Sequence, residues 1–257
     1  MTNDTTHAAA RQVALITGAS RGIGQALALG FADAGYDVIV TDLPQTEAAL
    51  RKTAEMIGLR DRKAWLYTLD VSNRAQIDAT VQRALADAGR IDVLVNNAGI
   101  LKPSLLQDLD EKTWDAHFDV NVKGVLMMCQ AIMPHMRARK SGRVINIASI
   151  AGRQGVPTQG HYAATKSAVI TLTRVLAQEA GMDGVTVNAI CPGIILTEMG
   201  RNNLGSEEAV RHWETVAALR RLGTPEDIVG PALFFASEQS AFVTGQALNV
   251  CGGIYFH

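Results

Sequence analysis

Seven short apolar runs recur along the chain, at 13–16, 38–41, 64–69, 91–95, 144–148, 185–190 and 247–250. Runs this short and this free of polar residues suit strands covered on both faces, as in parallel sheets. Between them the pattern shifts to a helical period. Ile23, Ala26, Leu27, Gly30, Phe31 and Ala34 make one stripe, closed by Gly35. Positions 47–59 have helical composition, and Ile77, Val81, Ala84 and Leu85 line another helix. Val122, Val125, Leu126, Cys129 and Ile132 form the stripe of a long helix over 112–139. Pro134 is expected to kink or loosen it by removing one hydrogen bond. Val169, Leu172, Val175 and Leu176 face inward from a helix starting near His161 and reaching Ala180. A helix over 225–236 has Pro225 in its first turn and Thr224 as N-cap. Strand and helix alternate from end to end, which predicts an α/β fold: a doubly wound parallel sheet of about seven strands with helices on both faces.

Residues 1–11 precede the pattern and are expected to be a disordered lead-in. No linker, repeat or charge block interrupts 12–257, so a single domain is expected. The 257 residues are 47% hydrophobic and 19% charged, enough for a sizeable core. A net charge of −1 gives no pull toward nucleic acid or an anionic membrane. No stretch reaches the ~18 apolar residues of a membrane span, and the N-terminus lacks a signal-peptide layout. Cys129, Cys191 and Cys251 are odd in number and far apart, which fits a reducing, cytoplasmic setting better than a disulfide framework. The six histidines show no metal-ligand spacing, so no metal is expected.

The candidate chemistry sits at strand ends. The first strand runs into T-G-A-S-R-G-I-G, residues 17–24, and then into a helix. That is the context of a nucleotide-phosphate site: Gly18 permits a tight turn, Gly22 lets backbone N–H groups approach, and the helix N-terminus adds positive potential. Gly18, Ser20, Arg21, Gly22 and Ile23 are its candidate cofactor-binding residues. Asp42 ends the second strand 20 residues beyond Gly22, where a carboxylate hydrogen-bonds a ribose. It would repel a 2′-phosphate by about 1–3 kcal/mol, which favours NAD over NADP. Arg21 argues the other way, as a cation able to reach that phosphate. Asp70 and Val71 end the third strand and are placed beside the adenine; Asp70 is equally a candidate cap for the helix near Asn73. Ser149 follows the fifth strand, and Tyr162 and Lys166 lie four apart on one helical face. A free phenol has a pKa of about 10. An ammonium beside it is expected to lower that value, fitting Tyr162 for proton transfer to or from an alcohol oxygen that Ser149 binds.

These residues carry a family resemblance. T-G-A-S-R-G-I-G, Asp70-Val71, N-N-A-G at 96–99, Asn121, Ser149, Tyr162 with Lys166, and Pro192-Gly193 with Thr197 together resemble the short-chain dehydrogenase/reductase family over nearly all of 11–253. The resemblance implies a Rossmann-type sheet and catalysis by Asn121, Ser149, Tyr162 and Lys166. It implies that Tyr162 is the acid/base and also contacts the cofactor, that Lys166 lowers its pKa and holds the nicotinamide ribose, and that Asn121 holds a water in a proton relay. It places Asn97, Ala98 and Gly99 by the adenosine side of the cofactor. Pro192, Gly193, Ile195 and Thr197 fall by the nicotinamide. It further implies a homotetramer built through the two long helices.

The expected function is an NAD(H)-dependent oxidoreductase that interconverts a secondary alcohol (a polyol, sugar, diol or hydroxyacyl compound) and its ketone. The first alternative is an NADPH-dependent 3-oxoacyl-thioester reductase; the second, of another class, is a non-catalytic NAD-binding sensor. Residues 193–222 are the least regular and are expected to form a substrate lid, with Met199, Leu204 and Trp213 as candidate lining. Arg153, Gln154, Val156 and Gln159 flank the site and suggest a polar substrate. His161 is expected to be solvated or at an interface, and the apolar tail 254–257 to be buried, within the chain or against a neighbouring subunit.

Overall fold

The computed structural model describes residues 11–256. The expected lead-in lies outside the described residues apart from Arg11, whose guanidinium is 3.9 Å from Asp37. All seven apolar runs form strands: β1 (Val13–Thr17), β2 (Asp37–Asp42), β3 (Ala64–Thr68), β4 (Val93–Asn96), β5 (Gly142–Ile147), β6 (Val185–Pro192) and β7 (Ala247–Val250). They make one sheet in the order β3-β2-β1-β4-β5-β6-β7, and every pairing is parallel. The chain winds outward from β1 in one direction and from β4 in the other. The reversal opens a crevice at the carboxyl ends of β1 and β4.

The helices are α1 (Gly22–Asp33), α2 (Glu47–Gly58), α3 (Arg74–Ala88), α4 (Glu111–Phe118), α5 (Gly124–Ala138), α6 (Ala151–Gln154), α7 (Gly160–Ala180), α8 (Glu198–Leu204), α9 (Glu207–Val216) and α10 (Val229–Ala236). Successive strand residues face opposite sides. Val13 and Leu15 pack with Ile77, Met128 and Val169 of α3, α5 and α7. Ala14 and Ile16 pack with Phe31, Leu50 and Phe235 of α1, α2 and α10. Both faces of the sheet are therefore covered, which is why the strands are apolar throughout.

Three expectations change. The helix expected over 112–139 is not uniform: α4 passes into a π-helical turn at Asp119–Lys123 and then into α5, which runs on through Pro134. The irregularity falls at Asn121, where the buried amide is drawn onto the backbone of Ile100, and not at the proline. Gly124 follows because a Cβ there would press to 3.0 Å on Val71. The helix expected over 225–236 begins as a 3-10 turn, Pro225–Ile228, with a capping box between Thr224 and Asp227. The 193–222 stretch contains two capped helices, α8 and α9, so it is more regular than expected.

A buried polar chain ties the elements beneath the crevice. Asn96 Nδ2 donates to Asn146 Oδ1 at 2.9 Å, and Asn146 Nδ2 donates to Thr173 Oγ1 at 2.9 Å. All three side chains are buried, so β4, β5 and α7 are locked in register by bonds that water cannot replace. Asn146→Ala strands a donor and an acceptor at once. Its cost is expected to be about 2–4 kcal/mol in urea unfolding; a loss under about 0.5 kcal/mol would contradict the network's role.

Candidate active site

β1 ends in Thr17, whose hydroxyl accepts the N–H groups of Asn97 and Ala98, each at 3.0 Å. Asn97 Nδ2 donates back to the carbonyls of Thr17 and Gly18 at 2.9 and 3.0 Å. The ends of β1 and β4 are thus sewn together at the crevice. Gly18 and Gly22 have φ of +66° and +55°, the left-handed region that favours glycine. The first turn of α1 has no side-chain cap and no acid, and the buried Ser20 hydroxyl has no partner. Free helix N–H groups, two glycines in the turn and an unpartnered hydroxyl suit a pyrophosphate. Gly99 follows at the same crevice, where an added Cβ would lie 3.2 Å from Asn121 Oδ1 and 3.5 Å from Lys166 Nζ.

Asp42 does more than its position announces. Its Oδ2 accepts the Ser20 N–H at 3.0 Å and its Oδ1 the Leu43 N–H at 2.8 Å, so it fastens the glycine turn to the end of β2. Arg21 is exposed and paired with Glu198 at the start of α8. Ile23 is half-buried in the first turn of α1. Asp70 accepts from the Ser72 N–H and hydroxyl at 2.9 and 2.7 Å. It does not cap α3; Asn73 does, accepting from Gln76 N. Val71 is buried against Gly124. On the other side of the crevice the Pro192 carbonyl accepts from Ile150 N, and Gly193 N donates to Val250 O. Ile195 is buried, and Thr197 caps α8 while its methyl faces Gly22.

The four expected catalytic residues converge. The Lys166 ammonium is buried, donates to the Ile147 carbonyl at 2.8 Å, and lies 5.5 Å from the centre of the Tyr162 ring. Ser149 Oγ accepts from Ala151 N at 3.1 Å and neighbours the Tyr162 phenol. Asn121 Oδ1 accepts from Ile100 N at 2.8 Å, while its Nδ2 donates to Ile100 O and to Thr165 Oγ1 at 3.0 and 3.1 Å. The electrostatics differ from expectation. Burial pushes the Tyr162 phenol up to about 12, and the Ser149 hydrogen bond offsets this only in part. Burial likewise draws the Lys166 ammonium down to about 8. Desolvation is the largest cause of both shifts. The pair stands as a neutral phenol beside a lysine still mostly charged at neutral pH, an arrangement that can give a proton to a developing alkoxide.

The expectations for Arg153, Gln159 and His161 change. Arg153 is turned inward: its guanidinium bonds the Ala247 carbonyl and lies near the Cys191 thiol. Gln159 is buried and donates to Asn203 of α8 at 3.1 Å. Gln154 is exposed, and Val156 half-buried. His161 is neither solvated nor at the surface; it is fully buried, edge-on to His117 with ring centres 4.3 Å apart. Met199 is exposed, while Leu204 and Trp213 are half-buried. In the single chain Phe256 of the tail is 78% exposed, which leaves burial against a neighbouring subunit open to it; position 257 lies outside the described residues. Cys191, buried beside Tyr162 and Lys166, was not a candidate on sequence; a lone cysteine ending a strand carries no spacing signal. A cavity of about 690 Å³ at the amino ends of β5 and β6, lined by Arg143, Thr186 and Phe242 among others, includes none of these residues.

The chain matches, over residues 18–255, the family model described as enoyl-(acyl carrier protein) reductase. It is 41% identical to the 3-oxoacyl-[acyl-carrier-protein] reductase of Synechocystis sp., covering 95% of this chain and 96% of that one. It is 38% identical to the 3-oxoacyl-[acyl-carrier-protein] reductase FabG of Staphylococcus epidermidis, covering 94% and 98%. A crystal structure from Sinorhizobium meliloti 1021, provisionally named a short-chain alcohol dehydrogenase, superposes with a TM-score of 0.90 at 34% identity, covering 95% and 96%. The expectation ranked a dehydrogenase of a secondary alcohol first and a 3-oxoacyl-thioester reductase second. The near-full-length relatives, both named for 3-oxoacyl reduction, overturn that order.

The dryness of the pocket floor can be measured through its thiols. Burial pushes Cys129 up to about 12 and raises Cys191, and both are buried, whereas Cys251 is half-buried. In the folded protein an aromatic disulfide reagent is expected to titrate Cys251 alone. Rapid labelling of Cys191, located by peptide mapping, would show the floor to be open.

Proposed function

The chain belongs to the short-chain dehydrogenase/reductase family of oxidoreductases, and on that premise we propose that it reduces the keto group of a 3-oxoacyl thioester carried on acyl carrier protein. The observation that carries this reading is the meeting of the Tyr162 phenol, the Ser149 hydroxyl and the buried Lys166 ammonium at the end of β5. A neutral phenol is a proton donor, which is what ketone reduction requires. The relatives supply the substrate class by their names.

When bound, a nicotinamide dinucleotide supplies the hydride. The residues proposed to hold it are Gly18, Ser20, Gly22 and Ile23 at the pyrophosphate, Asp42 at the adenosine ribose, and Asp70 and Val71 at the adenine. Asn97, Ala98 and Gly99 line the crevice; Pro192, Gly193, Ile195 and Thr197 lie by the nicotinamide. The Ser149 hydroxyl donates to the ketone oxygen and orients it. As the carbonyl π bond yields to a C–H bond, Tyr162 transfers its proton to that oxygen, giving the 3-hydroxyacyl product and a phenolate. Lys166 stabilises the phenolate and returns a proton to it, with Asn121 fixing the Ile100 backbone alongside. Helices α8 and α9 are proposed as the lid.

Asp42 and the Arg21–Glu198 pair support NADH as the preferred donor, because a carboxylate stands at the end of β2 and the nearby cation is engaged. Half-exposed apolar side chains on α4 and α7, Trp114 and Val175, support a homotetramer formed through those helices. Light scattering that gives a single-chain mass at micromolar concentration would remove the tetramer.

Two outcomes follow for kinetics with an acetoacetyl thioester. NADH should give kcat/KM at least about tenfold above NADPH, and Asp42→Ala should shrink that ratio several-fold; an NADPH preference in the parent contradicts the assignment to Asp42. The kcat/KM for reduction should fall as pH rises through about 8, where Lys166 loses its proton. A profile flat to pH 9.5, or faster turnover of simple polyols than of the thioester, contradicts the mechanism.

A further inference from the structure

Two buried histidines remain outside the proton-transfer chemistry. His117 on α4 and His161 at the start of α7 are 1% and 0% exposed, and their rings meet edge to face at 86°. Both reach the same residue. His117 Nε2 accepts the Lys102 N–H at 3.1 Å, and His161 Nε2 lies 3.0 Å from the Lys102 carbonyl oxygen. His117 Nδ1 sits 2.7 Å from the Thr113 carbonyl, so its proton is there and Nε2 is bare. His161 must carry its proton on Nε2 to donate to Lys102, which leaves its buried Nδ1 without a partner. The two imidazoles are thus opposite neutral tautomers, one accepting and one donating.

The pair belongs to a periodic arrangement. Asn121 takes both backbone groups of Ile100, the histidines take both of Lys102, and the Thr158 carbonyl accepts the Ser104 N–H at 2.8 Å. Every second residue of an extended segment is therefore held as a strand would be, by side chains and one carbonyl in place of a neighbouring strand. The segment leaves the crevice at Gly99, beside Lys166 Nζ, and passes the residue next to Tyr162.

We propose that His117 and His161 are positioning residues that clamp the 100–104 segment as a fixed wall beside Tyr162, setting how the 3-oxoacyl thioester sits at the catalytic hydroxyls. The inference rests on the reductase reading for its substrate. The clamp works only with both rings neutral. A second proton on His117 would set two N–H donors against each other at Lys102, and one on His161 would place a charge against a site with no acceptor. Burial holds His117 below the usual imidazole value, in keeping with that requirement.

The test compares the parent with His117→Leu, His161→Leu and His161→Gln, the last retaining an N–H donor at the reach of Nε2. Hydrogen exchange is followed by mass spectrometry on a peptide covering 100–106, together with dinucleotide affinity and steady-state reduction of an acetoacetyl thioester. Each leucine variant should speed exchange in that peptide at least about tenfold and raise the thioester KM about tenfold. Their kcat and dinucleotide affinity should stay within about threefold of the parent, and His161→Gln should restore most of both losses. Unchanged exchange overturns the clamp. So does faster exchange with KM unmoved, or a loss of dinucleotide affinity in step with KM, which marks general unfolding. If the parent itself reduces no 3-oxoacyl thioester, the substrate reading fails, and exchange alone decides the clamp.

Discussion

A lysine ammonium buried at the end of a strand is the constraint on which the rest depends. Lys166 reaches from α7 to the carbonyl of Ile147, the last residue of β5, and that bond fixes the helix that carries Tyr162. Burying an ammonium is costly unless its donors are used. Here one donor is taken by the carbonyl, and the face of the Tyr162 ring lies nearby. The same desolvation keeps the phenol protonated and brings the lysine toward neutrality. Structure and acid chemistry therefore have one cause, the exclusion of water from the junction of β5 and α7.

The nucleotide side and the catalytic side are joined through side chains that bind backbone. Thr17 holds the N–H groups of Asn97 and Ala98. Two residues on, Asn121 holds Ile100, and its Nδ2 also bonds Thr165, whose hydroxyl donates to the Tyr162 carbonyl at 2.7 Å. A continuous set of hydrogen bonds thus runs from the end of β1 to the catalytic helix. The π-helical turn at Asp119–Lys123 contributes to it, because that is where Asn121 enters. Beneath, Asn96, Asn146 and Thr173 repeat the device between β4, β5 and α7. Parallel strands supply the ends, and buried amides set their spacing.

The sheet was legible because its signal is periodic. Each strand appears as an apolar run since both of its faces are covered, and each glycine of the turn occupies a position that a side chain would obstruct. The convergence of Asn121, Ser149, Tyr162 and Lys166 was legible through the family resemblance. What escaped were bonds between residues distant in sequence. Nothing in the spacing of His117 and His161 shows that both would reach Lys102, and nothing around Arg153 shows that it would turn inward to Cys191. The sign of the Tyr162 shift was misjudged because a nearby ammonium is visible in sequence and dryness is not. The substrate class was misordered for another reason: Asp42 favoured NAD over NADP, and a polar substrate suggested by Arg153 and Gln159 reinforced that choice.

The central claim is that Tyr162 is the proton donor. Tyr162→Phe removes one oxygen and leaves the ring that Lys166 faces. In single-turnover reduction with enzyme in excess, the account predicts a rate about a thousandfold below the parent, with dinucleotide affinity by fluorescence titration within about threefold. A single-turnover rate within tenfold of the parent, at unchanged affinity, would contradict it.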